Sequence, residues 1–459
     1  MQRRALLPGA AAVLFVVVLG WVPGARGTPW PATILWAAAF GSYVLAATWH
    51  TQRPISRRQL WTVAILARLA LLPLTPWFSD DIYRYLWDGW VQIHGVNPYL
   101  HAPADSVLAP LRTGWHALIN HPTVPTIYPP GAQLVFRTLA AISTSVLLFK
   151  AAWILADLGV GWMLDRLTAS RASTPSLAPL LYLWSPLVLL EVAWSGHVEP
   201  LGILPMLGAL LILSSRASAA GAPEAGPRRR GGAALAGTLL GLGVSVKLAP
   251  AAAIPAAARW RVAAGAMAIA VPALLYLPYF SAGGSLIGGL TAYADRWEFN
   301  AGLYAPLVAL LGPTVAKGLA AAAVAGIAAN AAWRRWSLGR ALYWTIGGAI
   351  ALSPTIHPWY VLWILPLAAL RGGRAWLLLS GAVFLAYWGL DTYAATGSWP
   401  EPLPVRLLIH IPFLVLLGIE ALAPKQLPGR GHVAGREERR ENGRADGTSA
   451  DQDRGRPAE

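Results

Sequence analysis

The residues best equipped for chemistry come early, in the run Ser79-Asp80-Asp81-Ile82-Tyr83-Arg84-Tyr85-Leu86-Trp87-Asp88-Gly89. On a helix, Asp81, Arg84, Tyr85 and Asp88 share one face at i, i+3, i+4 and i+7, and Asp80 and Arg84 form an i, i+4 pair. Adjacent carboxylates repel, which raises the pKa of one of them, whereas a nearby guanidinium lowers it. A carboxylate tuned in this way at a membrane surface can act as general base toward a sugar hydroxyl. The plainer reading is a solvated helix start with an aspartate as N-cap. These residue types alone leave Asp80 and Asp81 both open as the base. Asp81 is preferred, because its face also carries Arg84, Tyr85 and Asp88.

A turn at Gly95-Val96-Asn97-Pro98-Tyr99 follows. Four of the nine histidines, His94, His101, His116 and His121, then fall within 28 residues. No pair among them has the i, i+4 spacing of a helical zinc motif. Hydrogen bonding to phosphate or sugar is the favoured use; no cofactor is expected, and a metal ion is left open. The segment closes with Ile119-Asn120-His121-Pro122 and Ile127-Tyr128-Pro129-Pro130-Gly131. Further along, polar residues interrupt apolar runs at Glu191, His197, Glu199, Lys247, Arg296 and His357. Each alone is more often a satisfied structural residue. Charged groups near membrane segments are costly, however, and their common placement on one side favours a shared site.

The elements that must carry these residues are membrane helices. The 459-residue chain is 56% hydrophobic and 12% charged, against roughly 25% charged in an average soluble domain. Apolar runs near the ~20 residues that cross a bilayer recur throughout. The spacing predicts about a dozen or more spans, near 5–22, 31–49, 60–77, 146–166, 177–194, 198–215, 233–246, 248–258, 262–280, 303–332, 341–356, 358–370, 375–392 and 404–422. Two short pairs, the seventh with the eighth and the eleventh with the twelfth, read as half-helices or broken hairpins. The fold class is therefore all-α, a polytopic transmembrane bundle with a long structured outer loop. The predicted parts are N-terminal spans 1–77, an outer loop 78–145 with an interfacial helix over 131–142, a bundle 146–422 and a disordered cytoplasmic tail 423–459. Residues 1–27 read as an uncleaved first span, because Pro23-Gly24-Ala25-Arg26-Gly27 is a poor cleavage site. No internal repeat is evident, which weakens a transporter built on repeated halves.

The net charge of +15 does not point to nucleic acid, because the basic residues sit in short clusters between apolar runs. With the N-terminus in the cytoplasm, Arg3, Arg53, Arg171, Arg229, Arg334 and Arg374 all fall inside, as the positive-inside rule requires. Most acids before the tail, among them Asp80, Asp81, Glu191 and Glu199, then face outward. Cysteine is absent, which removes disulfides and thiolate metal sites.

The stretch 79–99, with Asn120-His121-Pro122 and Tyr128-Pro129-Pro130, resembles bacterial GT-C superfamily glycosyltransferases, most closely the polyprenol-phosphate-mannose-dependent alpha-mannosyltransferases. Those enzymes carry an acidic motif in a long outer loop after a span, and Asp80-Asp81 holds that place here. The resemblance implies a polyprenyl-phosphate sugar donor (mannose), a glycan or glycolipid acceptor and a site on the outer face of the plasma membrane. It also implies Asp81 as base, with Asp80 as the alternative, and a single inverting displacement. Basic and histidine positions would hold the lipid phosphate. The substrate-binding set is then Arg84, Tyr85, Asp88, His121, Tyr128, His197, Glu199, Lys247, Arg296 and His357. The competing readings are a lipid or glycan flippase and a structural subunit of a cell-envelope assembly.

Overall fold

In the computed structural model, residues 5–22, 29–169, 175–217 and 227–422 are described. The segment 23–27, read above as a poor cleavage site, and the tail 423–459 lie outside them. Among the described residues the chain is all-α, with one isolated bridge between Phe299 and Thr355. One compact unit covers Met1–Leu417; the second, Gly418–Glu459, is described only through Leu422, in the last turn of helix Leu403–Leu422.

Five helices are long and apolar enough to cross a membrane: Trp30–Gln52, Val146–Leu167, Pro313–Trp333, Arg374–Thr396 and Leu403–Leu422. Two bent pairs, Leu177–Leu183 with Pro186–Trp194 and Val262–Leu275 with Leu277–Arg296, bring the number to seven. Leu6–Trp21, Glu199–Leu213 and Gly231–Val246 are apolar but shorter. This is fewer full-length spans than the apolar runs predict, because backbone breakers divide them. The run 303–332 splits at Gly312, with φ +78°, and Pro313. The run 358–370 opens as a 3-10 turn, Pro358–Trp363, before a short helix, Leu365–Arg371. The outward faces carry Ile34, Leu69, Leu155, Ile269, Leu310 and Leu408, all exposed, as lipid contact requires.

After α1 (Leu6–Trp21) and α2 (Pro29–Gln52), four helices frame the acidic motif: α3 (Arg57–Leu71), α4 (Asp81–Ile93), α5 (Pro130–Ile142) and α6 (Val146–Leu167). A capping box starts α3, with Ser56 and Gln59 satisfying each other's backbone N–H. Its far end is held by buried Lys150 of α6, which donates to the carbonyls of Leu71 and Leu74 at 3.1 and 2.6 Å. Trp194 donates to the Thr75 carbonyl at 2.9 Å, and Phe78 packs edge-on against the Trp194 ring. The segment 72–80 is thereby pinned, and it delivers Asp80 and Asp81 to a fixed point.

The segment 94–129 between α4 and α5 folds back over the start of α4 through 3-10 turns at Ser106–Leu111 and His116–Leu118. α5 packs closely on α4: a Cβ at Gly89 would sit 2.4 Å from the Phe136 carbonyl oxygen. That helix was expected at the membrane interface; it buries Ala132, Gln133, Phe136 and Ala140. Inside the bundle, Arg68 and Asp157 form a buried ion pair. Removing one partner of such a pair costs about 3–5 kcal/mol.

Candidate active site

Asp80 occupies the N-cap position of α4, yet its side chain makes no capping bond. Both carboxylates are turned to a common partner. The Asn120 amide donates to Asp80 Oδ1 at 2.8 Å and to Asp81 Oδ1 at 2.6 Å. Tyr128 Oη donates to Asp81 Oδ2 at 3.3 Å, and His197 Nε2 lies 3.9 Å from the same oxygen. Ser79 Oγ accepts the Asp81 backbone N–H at 3.3 Å and meets His197 Nε2 at 3.1 Å. The residue after Asn120, His121, holds a left-handed backbone at φ 43°. Such strain in a non-glycine residue persists only where its surroundings over-determine it.

Three further elements close around Asp81. A π-helical turn, Leu189–Trp194, leads into the His197 loop. Lys247 follows helix Pro227–Val246 directly, and its Nζ is 2.7 Å from Glu199 Oε1. The Lys247 ammonium also lies 5.6 and 5.2 Å from the ring centres of Tyr128 and Tyr360. His357 precedes the turn Pro358–Trp363. His197, Trp359, His357 and Phe299 form one stack, with successive ring centres 4.1, 4.3 and 4.7 Å apart.

These neighbours set the charges. Burial acts to raise the Asp81 carboxyl, but His197, Lys247, the Asn120 bond and His357 outweigh it and hold Asp81 below the usual aspartate value. Asp80 opens to the surface yet is largely surrounded by protein; desolvation first, then the Asp81 charge, pushes it up to about 6. Burial disfavours the His197 cation, but Glu191, Glu199 and Asp81 prevail and raise its pKa. Lys247 is likewise raised against burial by Glu199 and Asp81. Burial and the neighbouring cations drive His357 down to about 3. At neutral pH the site therefore presents ionised Asp81, a lysine cation, a histidine inclined to its charged form and a neutral histidine.

Of the positions expected at the site, Asp80, Asp81, Tyr128, His197, Glu199, Lys247 and His357 come together. His121 sits at the rim, edge-on to Trp297 at 4.7 Å. Arg84, Tyr85 and Asp88 share a face, but it points into the protein. Arg84 pairs with Asp88 at 3.0 Å and not with Asp80. Asp88 also accepts from Thr126 at 2.5 Å and Gln133 at 2.8 Å. Tyr85 stacks on Phe136 at 4.9 Å. Arg296 is exposed in the last turn of helix Gly288–Arg296, and no hydrogen bond or ion pair among the described residues joins it to the cluster. The other histidines disperse: His94 to the Trp90 carbonyl, His101 to Asp105 and His116 to the Pro103 carbonyl. Among the described residues no group of three or more His, Asp or Glu is arranged to hold a metal ion. Sequence reasoning missed the work of Ser79, Asn120 and Trp359. Ser79 and Asn120 were visible within quoted motifs, but the groups they join lie far apart in the chain.

An all-α membrane bundle that sets a carboxylate pair against a lysine and a histidine has the build of a GT-C-type glycosyltransferase. The chain belongs to the alpha-(1->6)-mannopyranosyltransferase family, whose N-terminal domain matches residues 4–280, more than half of the sequence. It is thus an alpha-mannosyltransferase. The matched stretch contains Asp80, Asp81, Asn120, Tyr128, His197, Glu199 and Lys247; Arg296 and His357 lie beyond it. No curated protein and no solved structure matches the chain.

Proposed function

We propose that the protein transfers mannose from a polyprenyl-phosphate mannose to a hydroxyl of a glycan or glycolipid acceptor at the outer face of the plasma membrane. The observation that carries this reading is the clamp on Asp81: Asn120 and Tyr128 fix its oxygens while His197 and Lys247 face it. A base and cations side by side are what displacement of a phosphate by a hydroxyl needs. Asp81 takes the acceptor proton as the acceptor oxygen bonds to the anomeric carbon. The bond from that carbon to the phosphate oxygen breaks, and the electron pair leaves with the polyprenyl phosphate. Lys247 and protonated His197 balance the charge, and neutral His357 supplies a hydrogen bond. Asp80, at the mouth, orients the acceptor. One displacement inverts the anomeric centre, so an alpha product requires a beta-configured donor.

A second assignment has its own support: Asp80, exposed and pushed up to about 6, is the stronger base of the two. The flippase reading is weakened by the charges within the spans. Arg68 is paired with Asp157, and Lys150 is bonded to two carbonyls, so they line no free polar path. Labelled polyprenyl-phosphate mannose supplied to membranes containing the protein tests the proposal. Wild type should form mannosylated product and Asp81→Asn should not. Undiminished transfer in both Asp81→Asn and Asp80→Asn would remove the acidic pair from catalysis.

A further inference from the structure

The residue with the most unusual placement is one the mechanism above does not use. Glu191 is fully buried in the only π-helical turn among the described residues. Such turns are rare and recur at functional sites. The wide turn sends the Ser195 N–H to the Leu190 carbonyl at 2.8 Å and the His197 N–H to the Glu191 carbonyl at 2.9 Å. The chain then reverses at Gly196, with φ +80°. Glu191 Oε1 accepts from Tyr387 Oη at 2.8 Å, and Oε2 lies 3.1 Å from His197 Nδ1. The opposite ring nitrogen, Nε2, faces Ser79 Oγ at 3.1 Å, with Asp81 Oδ2 behind it at 3.9 Å.

Both imidazole nitrogens thus face oxygen. Nδ1 faces only acceptors, the Glu191 carbonyl oxygen and Glu191 Oε2, each at 3.1 Å, so it carries a proton. Ser79 Oγ can accept from Nε2 or donate to it, and the two carboxylates, Glu191 at Nδ1 and Asp81 3.9 Å from Nε2, favour the second proton that makes the ring an imidazolium. Trp359, stacked at 4.1 Å, covers a face of the ring and fixes its plane.

We infer that Glu191 is a positioning residue for mannosyl transfer, holding His197 as an imidazolium whose Nε2–H is presented to Ser79 and Asp81. This rests on the reading of Asp81 given above. The cation keeps Asp81 ionised and adds a second positive charge beside Lys247 where the phosphate departs.

A requirement for charged His197 has a pH signature. Its cation is favoured by Glu191 from the π turn, Glu199 from the next helix and Asp81 from α4. The cations near it are Lys247 and, when protonated, His357 and His121. Activity should be present below the raised pKa of His197 and fall as pH rises through it. Asp80 at about 6 and His357 at about 3 titrate on the acid side, His121 is lowered and Lys247 raised, and only a limb set by His197 should move in Glu191→Gln.

The experiment is the pH profile of kcat for wild type, Glu191→Gln and Asp81→Asn in membranes, with thermal stability measured in parallel. Glutamine keeps an acceptor for Tyr387 but turns an amide toward Nδ1 and removes the charge. Wild type should lose activity on an alkaline limb above the ordinary histidine range, and Glu191→Gln should move that limb to lower pH. On the alkaline side of the limb the variant's activity should then fall further than wild type's, by up to about tenfold for each unit the limb moves. An unmoved limb in a stable Glu191→Gln protein, with Asp81→Asn inactive, overturns the inference and leaves the proposed function standing. Full activity of Asp81→Asn would instead strike the reading on which it rests. If Glu191→Gln does not fold, wild type decides: activity that persists to pH 9 without an alkaline limb overturns the inference.

Discussion

Asp80 and Asp81 are neighbours in sequence and opposites in environment. Removing a general base typically costs 10²–10⁴-fold in rate, so Asp81→Asn should lower kcat by about that factor with normal membrane insertion. Asp80→Asn should cost less and act on the acceptor. Because the Asp80 carboxyl sits near 6, it is ionised above that pH and protonates as pH falls through it. The acceptor KM of wild type should therefore rise below pH 6, and that rise should vanish in Asp80→Asn. If Asp80→Asn is dead and Asp81→Asn near native, the two roles exchange. Lys247 needs a paired design. Its partner Glu199 is fully buried, and an orphaned buried charge costs about 3–5 kcal/mol. Lys247→Met alone should lose stability, whereas Lys247→Met with Glu199→Gln should fold and show a raised donor KM. An unchanged donor KM in the folded double variant would remove Lys247 from the phosphate site. The acidic pair was legible because residue type and adjacency suffice to mark it. The environment that separates the two was not, since Asn120, His197, Lys247 and His357 reach them from four distant segments. The helical period placed Arg84, Tyr85 and Asp88 on one face correctly, but periodicity does not say whether a polar face turns toward a ligand or toward Thr126 and Gln133.

At the level of elements, the site is assembled at interruptions. Lys247 and His357 each follow a helix at the start of a short 3-10 segment, Ala249–Ala253 and Pro358–Trp363. His197 follows the π turn, and Asp80 and Asp81 follow the pinned segment after α3. The sequence showed where these breaks fall, through Pro250, Pro358 and Gly196, and flagged both short pairs as broken. What it could not show is that a π turn precedes Gly196, because that turn is stabilised by Tyr387 and His197 and not by local propensity. Gly196 tests how much the loop matters. Its φ is +80°, and a Cβ there would lie 2.6 Å from Ile82 Cδ1 and 3.1 Å from Lys150 Cγ. A left-handed alanine costs roughly 1–2 kcal/mol before any clash. Gly196→Ala should therefore lower the melting temperature, by about 1–2 °C from the backbone term alone in a unit of this size, and it should cut transfer more than stability alone predicts, since the loop carries His197. Native activity and Tm in Gly196→Ala would show that the loop is not held as tightly as its contacts indicate.

Across the whole molecule, arginines and site residues occupy opposite ends of the same helices. α3 begins with Arg57 and Arg58, and its far end leads to Asp80. α6 carries Arg166 in its last turn, and its first turns hold Lys150 beneath the His197 loop. Helix Leu338–Ala351 has Arg340 near its start and His357 beyond its end. Helix Pro227–Val246 begins with Arg228, Arg229 and Arg230 and is followed by Lys247. A 22-residue helix such as α6 rises about 33 Å, close to the thickness of a bilayer core. The two ends therefore correspond to the two membrane surfaces. Arginines rimmed by aromatic rings, as Arg166 by Trp162, Arg334 by Trp333 and Arg340 by Trp336, fit an interfacial belt, and their clustering at one end is what the positive-inside rule expects of a cytoplasmic surface. Under the proposed orientation the site opens on the other side, where the polyprenyl-linked sugar proposed as donor would reach Asp81 from the outer leaflet. Reporter fusions provide the test. A fusion at position 110, within the turn Ser106–Leu111, should report from outside the cytoplasm, and a fusion at position 225 from inside it. A cytoplasmic signal at 110 would invert the topology. The donor would then have to be presented from the inner leaflet, and the acceptor with it.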